Sequence, residues 1–216
     1  MWEWRIFLEL DKVNENFLDQ TLRDKLNSAF LEQRIDFYYN LKEANFGLKE
    51  RGKMNHKVFL PKLELKLLID RVGWGAELWE KCVKIQVKKS INPFIGLSRE
   101  FIIENLTLAS RSLHQKYSKD IHRIKRLFEN SDIRRVEVKK KRRKIDIKDI
   151  PRDPIISNKI TLSFEKAEIS ILKQSWITYE IESNNLSVLR NFLAKNQLSQ
   201  RGLVMGYPKF IQMIAP

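Results

Sequence analysis

Three stretches place charged side chains at every second residue, and their types suit phosphate chemistry. Lys62-Leu63-Glu64-Leu65-Lys66 sets a cation, an anion and a cation in one row. Arg135-Val136-Glu137-Val138-Lys139-Lys140-Lys141 repeats the pattern, and outside the three stretches the shorter Lys49-Glu50-Arg51 adds two cations with the same spacing. Thr178-Tyr179-Glu180-Ile181-Glu182 sets two carboxylates two residues apart. Alternate residues of an extended strand share a face. Glu180 and Glu182 could therefore chelate one cation, while the Lys and Arg rows could neutralise phosphate oxygens. One such row is an ordinary solvent face. Three of them in a basic chain predict strands whose ionic faces converge around a polyanion.

The composition supports an anionic partner. Among 216 residues there are 41 Lys and Arg against 27 Asp and Glu, a net charge of +14. That balance points to nucleic acid, nucleotide, polyphosphate or an acidic surface. Hydrophobic residues make up 43% of the chain, enough for a folded core and too many for a disordered one. Cys82 is the single cysteine, which excludes an intrachain disulfide and a cysteine-based metal site. His56, His114 and His122 are scattered and suggest no triad or histidine-rich metal site. No apolar run approaches the ~20 residues that span a bilayer, and the start Met1-Trp2-Glu3-Trp4-Arg5 lacks a signal-peptide pattern. A reducing, cytoplasmic setting away from membranes is expected, with one domain over residues 1–216.

The elements that would position these residues follow from periodicity. Trp2 to Leu10 reads as a strand, with Trp2, Trp4, Ile6, Leu8 and Leu10 on one face and Glu3, Arg5, Phe7 and Glu9 on the other. A helix is predicted from Asn14 to Phe30, capped by Asn14 or Asn16, with Phe17, Leu18, Leu22, Leu26 and Phe30 as its apolar stripe. Strands are predicted at Gln33–Leu41, with Arg34, Asp36, Tyr38 and Asn40 sharing a side, at Asn45–Arg51 and at Val58–Leu68. A short helix from Ala76 to Val83 would carry Cys82 as a core filler. Lys84–Ser90 and Phe101–Leu108 read as strands, Leu113–Phe128 as a helix and Ile133–Ile147 as a very basic strand. A linker is bounded by Pro151 and Pro154. Strands at Ile160–Phe164, Ala167–Leu172 and Ser175–Ser183 follow, and then a helix from Leu186 to Lys195 capped by Asn184-Asn185. Short connections imply mostly antiparallel pairing, so the fold class is α+β.

In this order, Asp36-Phe37-Tyr38, Leu48-Lys49-Glu50-Arg51, Leu63-Glu64-Leu65-Lys66, Arg135-Val136-Glu137-Val138-Lys139 and Tyr179-Glu180-Ile181-Glu182-Ser183 resemble the CYTH family, the triphosphate tunnel metalloenzymes. The closing Tyr207-Pro208-Lys209-Phe210 is similar to the family's end. The resemblance implies a closed antiparallel barrel of about eight strands with helices outside, able to enclose one small ligand. It also implies a triphosphate or nucleotide substrate, Mg²⁺ or Mn²⁺ as cofactor, and water as nucleophile. Carried onto this sequence, it makes Lys49, Arg51, Lys62, Lys66, Arg135, Lys139 and Lys141 phosphate-binding, Glu180, Glu182 and Glu3 metal-binding, and Glu180, Glu182 and Glu64 catalytic.

The first strand departs from the family's Glu-x-Glu-x-Lys. It reads Glu3-x-Arg5-x-Phe7 and keeps one position of three. Either the metal site is built mainly from Glu180 and Glu182 with Glu64 or Glu137, or catalysis is lost and nucleotide or nucleic-acid binding remains. The run Lys139 to Lys144 adds a second reading. With Lys139 and Lys141 inward, Lys140, Arg142 and Lys144 would project outward and touch nucleic-acid phosphates without reading sequence.

Overall fold

Alternation dominates the strands. In β1 (Trp2–Glu9) Trp4, Ile6 and Leu8 enter an apolar core, while Glu3, Arg5 and Phe7 stand on the other face, as expected. The structure is a computed structural model that describes residues 1–12, 18–52, 54–55, 58–59, 61–87, 92, 95–112, 115–147, 159–196, 198 and 202–216. The further strands are β2 (Glu32–Tyr39), β3 (Phe46–Gly52), β4 (Met54–Asn55), β5 (Val58–Phe59), β6 (Lys62–Arg71), β7 (Glu77–Gln86), β8 (Arg135–Asp146), β9 (Leu162–Ile171), β10 (Gln174–Ser183) and β11 (Leu203–Val204). The helices are α1 (Gln20–Ser28), α2 (Arg99–Ser112), α3 (Ser118–Asn130), α4 (Leu186–Lys195) and α5 (Tyr207–Ile214). Nine strands hydrogen-bond in the order β10-β9-β8-β2-β3-β6-β7-β1-β11. An added pairing of β1 with β10 closes eight of them into an antiparallel barrel. The fold is α+β. No described helix is long and apolar enough to cross a membrane.

The chain divides into two compact units. Unit 1 comprises Met1–Gln33, Ile69–Trp79 and Lys140–Gly206. Its core gathers Trp4, Ile6 and Leu8 of β1, Leu22 and Leu26 of α1, Phe164 of β9, Ile177, Tyr179 and Ile181 of β10, and Leu189 of α4. The Phe164 and Tyr179 rings stack with centroids 5.9 Å apart. Unit 2 comprises Arg34–Leu68, Glu80–Lys139 and Tyr207–Pro216. Its core sets Leu48 of β3 and Leu63, Leu65 and Leu67 of β6 against Ile102 and Leu106 of α2 and Ile121, Ile124 and Phe128 of α3.

Local chemistry sets the helix starts. Asn185 caps α4 by accepting from the Val188 amide at 3.0 Å, and α4 spans the expected residues. The first helix is shorter than periodicity suggests. Asp19 caps it, accepting from the Leu22 amide at 3.2 Å, and its carboxyl lies below the usual value chiefly through that bond. The expected caps Asn14 and Asn16, and Phe17, lie outside the described residues. So do the Pro151–Pro154 linker, His56, His114 and Leu113. Leu22 and Leu26 are buried as expected, but Phe30 follows the helix end and is 83% exposed.

Two elements differ in type from the sequence reading. Residues 76–83 do not form a helix, since β7 runs through them. Leu78-Trp79 and Cys82-Val83 mimic helical spacing, but Trp79 and Val83 are buried on β7, and Cys82 and Ile85 pack partly against the core of unit 2. Burial, with Glu80 and Asp120 nearby, pushes the Cys82 thiol up to about 11, so it stays protonated at neutral pH. Residues 101–108 are not a strand but lie in α2, where Ile102 and Leu106 are buried one turn apart and Ser98 Oγ accepts from the Phe101 amide at 3.1 Å. The two strands expected at 160–172 are one, β9.

Candidate functional site

In unit 2 the ionic residues collect on the strand faces turned away from the core. Pairing of β2 with β3 sets Asp36 opposite Arg51 and Tyr38 opposite Lys49. Pairing of β3 with β6 sets Lys49 opposite Glu64 and Arg51 opposite Lys62. Asp36 is fully buried and its carboxylate is shared by three cations. Arg51 Nε lies 3.3 Å from Oδ1, and Arg34 Nη2 and Lys49 Nζ lie 3.4 and 3.9 Å from Oδ2. Glu64 is 3% exposed, with Arg51 Nη1 at 3.4 Å and Lys81 Nζ at 3.5 Å. Burial alone would raise the Glu64 carboxyl, but Arg51, Lys49 and Lys81 hold it below the usual value. Burial likewise works against the Arg51 charge, and Asp36, Tyr38 and Glu64 together raise its pKa. Lys49 also donates to Tyr38 Oη at 3.3 Å, and the Tyr38 ring stacks on Tyr207 at 5.0 Å. Among the described residues, Arg34, Lys49, Arg51 and Lys81 thus gather on the carboxylates of Asp36 and Glu64, and Lys62 and Lys66 share the Glu64 face of β6.

The core-side face of the same unit carries a different ion pair. Glu50 is fully buried, with Arg135 Nη2 at 2.7 Å from Oε2 and Nε at 3.2 Å from Oε1. The Leu97 amide donates to Glu50 Oε1 at 3.0 Å, and the Tyr39 hydroxyl donates to it as well. Burial and the Glu50 charge raise the Tyr39 hydroxyl far above its ordinary value, so it remains a donor. The Arg135 guanidinium lies 3.5 Å from the Phe37 ring centroid.

In unit 1, β1 and β10 pair so that Glu3 faces Glu182 and Arg5 faces Glu180. Pairing of β10 with β9 adds Ser163 opposite Glu182 and Glu165 opposite Glu180. One carboxylate oxygen from each of Glu3, Glu180 and Glu182 lies within 4.8 Å of the others. Such a hard-oxygen set suits Mg²⁺ or Mn²⁺. Two cations of the chain already lie among these carboxylates: Arg5 pairs with Glu180 and Lys144 with Glu182. Burial disfavours the Lys144 charge, but Glu182, Glu180 and Glu165 raise its pKa. Arg142 bridges Glu32 Oε2 at 2.6 Å and Glu165 Oε2 at 2.5 Å. Beyond Arg5 this face is closed to solvent, with Phe7, Ala167 and Thr178 fully buried.

The structure brings Glu3, Glu180 and Glu182 together in unit 1, and Lys49, Arg51, Lys62, Glu64 and Lys66 together on one face of unit 2. Arg135 instead joins Glu50 on the core side. Lys139 is 62% exposed beside Glu137, and Lys141 is exposed. The facing expected along Lys139–Lys144 is reversed. Lys140 is 3% exposed, and Arg142 and Lys144 reach Glu32, Glu165 and Glu182 rather than projecting outward. Arg34 was legible as a neighbour of Asp36 on one strand face. Lys81 was hidden by the helical reading of 76–83, and Glu165 by the gap between two expected strands.

These features define a closed antiparallel barrel with a cation-rich face in one unit and a carboxylate cluster in the other. No protein-family model matches the chain, and no curated protein matches it. Among solved structures it is similar to the "putative adenylate cyclase" of Bacillus halodurans, at 14% identity, 98% coverage of this chain and 96% of that one, with a TM-score of 0.45. It is also similar to a conserved hypothetical protein of Pyrococcus furiosus, at 14% identity, 96% and 98% coverage and a TM-score of 0.46. A protein of Pyrococcus horikoshii gives 14% identity, 93% coverage of each chain and a TM-score of 0.43.

Proposed function

We propose that the chain is a metal-dependent hydrolase of triphosphate-bearing compounds, of the CYTH type that its strand motifs resemble. One observation carries the phosphate part. On the ionic face of unit 2, Arg34, Lys49, Arg51 and Lys81 gather on the carboxylates of Asp36 and Glu64 at 3.3–3.9 Å, whereas the same unit closes Arg135 on Glu50 at 2.7 Å. Cations gathered in this way suit phosphate oxygens, which accept charge-assisted bonds from several cations at once. Lys49, Arg51, Lys62 and Lys66 would neutralise and orient the phosphate chain. Glu180, Glu182 and Glu3 would hold a divalent cation, which supplies charge neutralisation and Lewis-acid polarisation when bound. In hydrolysis the water oxygen bonds to the terminal phosphorus, the bridging P–O bond breaks, and the water proton passes to solvent. The test is phosphate release from inorganic triphosphate, ATP and a 5′-triphosphate RNA with Mg²⁺ or Mn²⁺. Release is expected with metal, and should be lost in the Glu180→Gln, Glu182→Gln variant. Absence of release from all three substrates sinks the hydrolase.

A second reading, nucleotide or polyphosphate binding without turnover, is favoured by Arg5. It stands where the family's first strand carries its second carboxylate, and it pairs with Glu180. In that case triphosphate binds without being hydrolysed, and its affinity falls steeply with added salt.

A further inference from the structure

We infer that Arg34 is the buried anchor of an oxyanion subsite on the ionic face of unit 2, taking one phosphoryl-type group through its guanidinium edge; the triphosphate form of this inference rests on the function proposed above. Arg34 is 8% exposed, as deep as any cation on that face but Lys49. Its Nε is buried, and among the described residues no hydrogen-bond partner reaches it. The ion pair of Arg34 Nη2 with Asp36 Oδ2 spans 3.4 Å, and that carboxylate is shared with Arg51 and Lys49. The Asp36 carboxylate is therefore not held by Arg34 alone.

A guanidinium withdrawn from water needs both charge compensation and filled donors, and long sharing of one carboxylate provides neither in full. Arg135 shows what this chain does with a structural arginine. It is tied to Glu50 at 2.7 and 3.2 Å, and its guanidinium lies against Phe37. Arg34 has the burial of a structural arginine without that closure. An anion with oxygens spaced to meet two adjacent N–H groups completes it, and tetrahedral oxyanions such as phosphoryl groups and sulfate have that spacing. Lys49 Nζ and Arg51 Nε converge on the same Asp36, so the ligand would meet further cations beside Arg34. Arg34 follows from no sequence motif named above. It is read from burial and from a buried donor that no hydrogen-bond partner reaches among the described residues.

The experiment compares wild type with Arg34→Met and Arg34→Lys, using inorganic triphosphate and sulfate as separate probes. Triphosphate affinity is measured calorimetrically and sulfate stabilisation by thermal unfolding. Triphosphate should bind Arg34→Met at least about tenfold more weakly than wild type. Arg34→Lys, which keeps the charge and loses the planar fork, should fall between them. Sulfate should raise the wild-type Tm more than that of Arg34→Met, the shared part being general salt stabilisation. Without any anion, Arg34→Met should melt no lower than wild type, because the charge it removes is incompletely compensated. If both variants bind triphosphate within about twofold of wild type, the inference fails while the proposed substrate class stands. If wild type ignores triphosphate yet shows the Arg34-dependent sulfate effect, the subsite stands and the triphosphate reading fails. If neither probe distinguishes Arg34, the subsite is refuted. Should Arg34→Met fail to fold, Arg34→Lys decides by the same criteria.

Discussion

Arg5 and Glu180 stand directly opposite each other in the pairing of β1 with β10 and form an ion pair whose side chains are 9% and 8% exposed. The guanidinium therefore lies among the three carboxylates that suit a divalent cation. Removing one partner of a buried pair leaves the other uncompensated, at a cost of about 3–5 kcal/mol. Arg5→Gln should destabilise the protein by about that much, judged by urea unfolding. Mn²⁺ should restore part of the loss, since a bound cation supplies the missing charge near Glu180. A small loss that Mn²⁺ does not touch would mean the carboxylates are neither electrostatically held by Arg5 nor competent for the metal.

The Glu50–Arg135 pair should behave as a structural tie. Glu50→Gln removes the charge that Arg135, Tyr39 and the Leu97 amide converge on, and should cost about 3–5 kcal/mol. Tyr39→Phe leaves Glu50 with its other donors and should cost about 1 kcal/mol. Gly96→Ala should cost more than an ordinary surface change. Its φ is +76°, and an added Cβ would lie 2.5 Å from Arg135 Nε. Denaturation midpoints rank the three variants, and Tyr39→Phe as harmful as Glu50→Gln would contradict this account.

Strands with apolar residues at strict alternation were legible, because an apolar face marks its own side. The rows of β1, β6 and β10 followed directly from Trp4-Ile6-Leu8, Leu63-Leu65-Leu67 and Ile177-Tyr179-Ile181. The end of β8 was not legible in the same way. From Lys139 to Lys144 no apolar residue marks a side, and the facing had to be carried from Val136 and Val138. These valines are buried on the side of Lys140, not on a separate core face. Residues 76–83 failed because aromatic and aliphatic pairs at helical spacing can also pack a two-faced strand, and sheet pairing decided between them. The candidate sites were partly legible for the same reason. Alternation predicts which charges share a face of one strand, but not which strands lie side by side.

Acid should expose the role of Glu64. Its folded-state carboxyl titrates below the ordinary 4.5, because Arg51, Lys49 and Lys81 outweigh burial. A depressed carboxyl contributes stability that is complete above its unfolded value and is lost as pH falls through its folded value. The Glu64 share of stability should therefore be present at neutral pH and disappear below about pH 4.5. Glu64→Gln should lower stability at pH 7 and flatten the curve on that acid limb. Parallel wild-type and variant curves from pH 7 to the acid midpoint would refute a depressed Glu64.

The last prediction turns on the two faces of the basic residues. Lys49 is 6% exposed and lies against Asp36, Tyr38 and Glu64, whereas Lys139 is 62% exposed and Lys141 points the same way, opposite to buried Lys140. All three were candidates for phosphate on sequence grounds. A charge-assisted hydrogen bond made in a partly desolvated site contributes about 1.5–3 kcal/mol, while an exposed lysine is screened by water and salt. Lys49→Gln and Arg51→Gln should each weaken inorganic triphosphate binding by about tenfold or more. Lys139→Gln with Lys141→Gln removes two charges but should leave that affinity within about twofold at physiological salt. The comparison is informative because both changes lower the net charge in the same direction. If the double surface variant loses as much as Lys49→Gln, overall charge rather than the Asp36–Glu64 face governs anion binding, and the site drawn here is wrong.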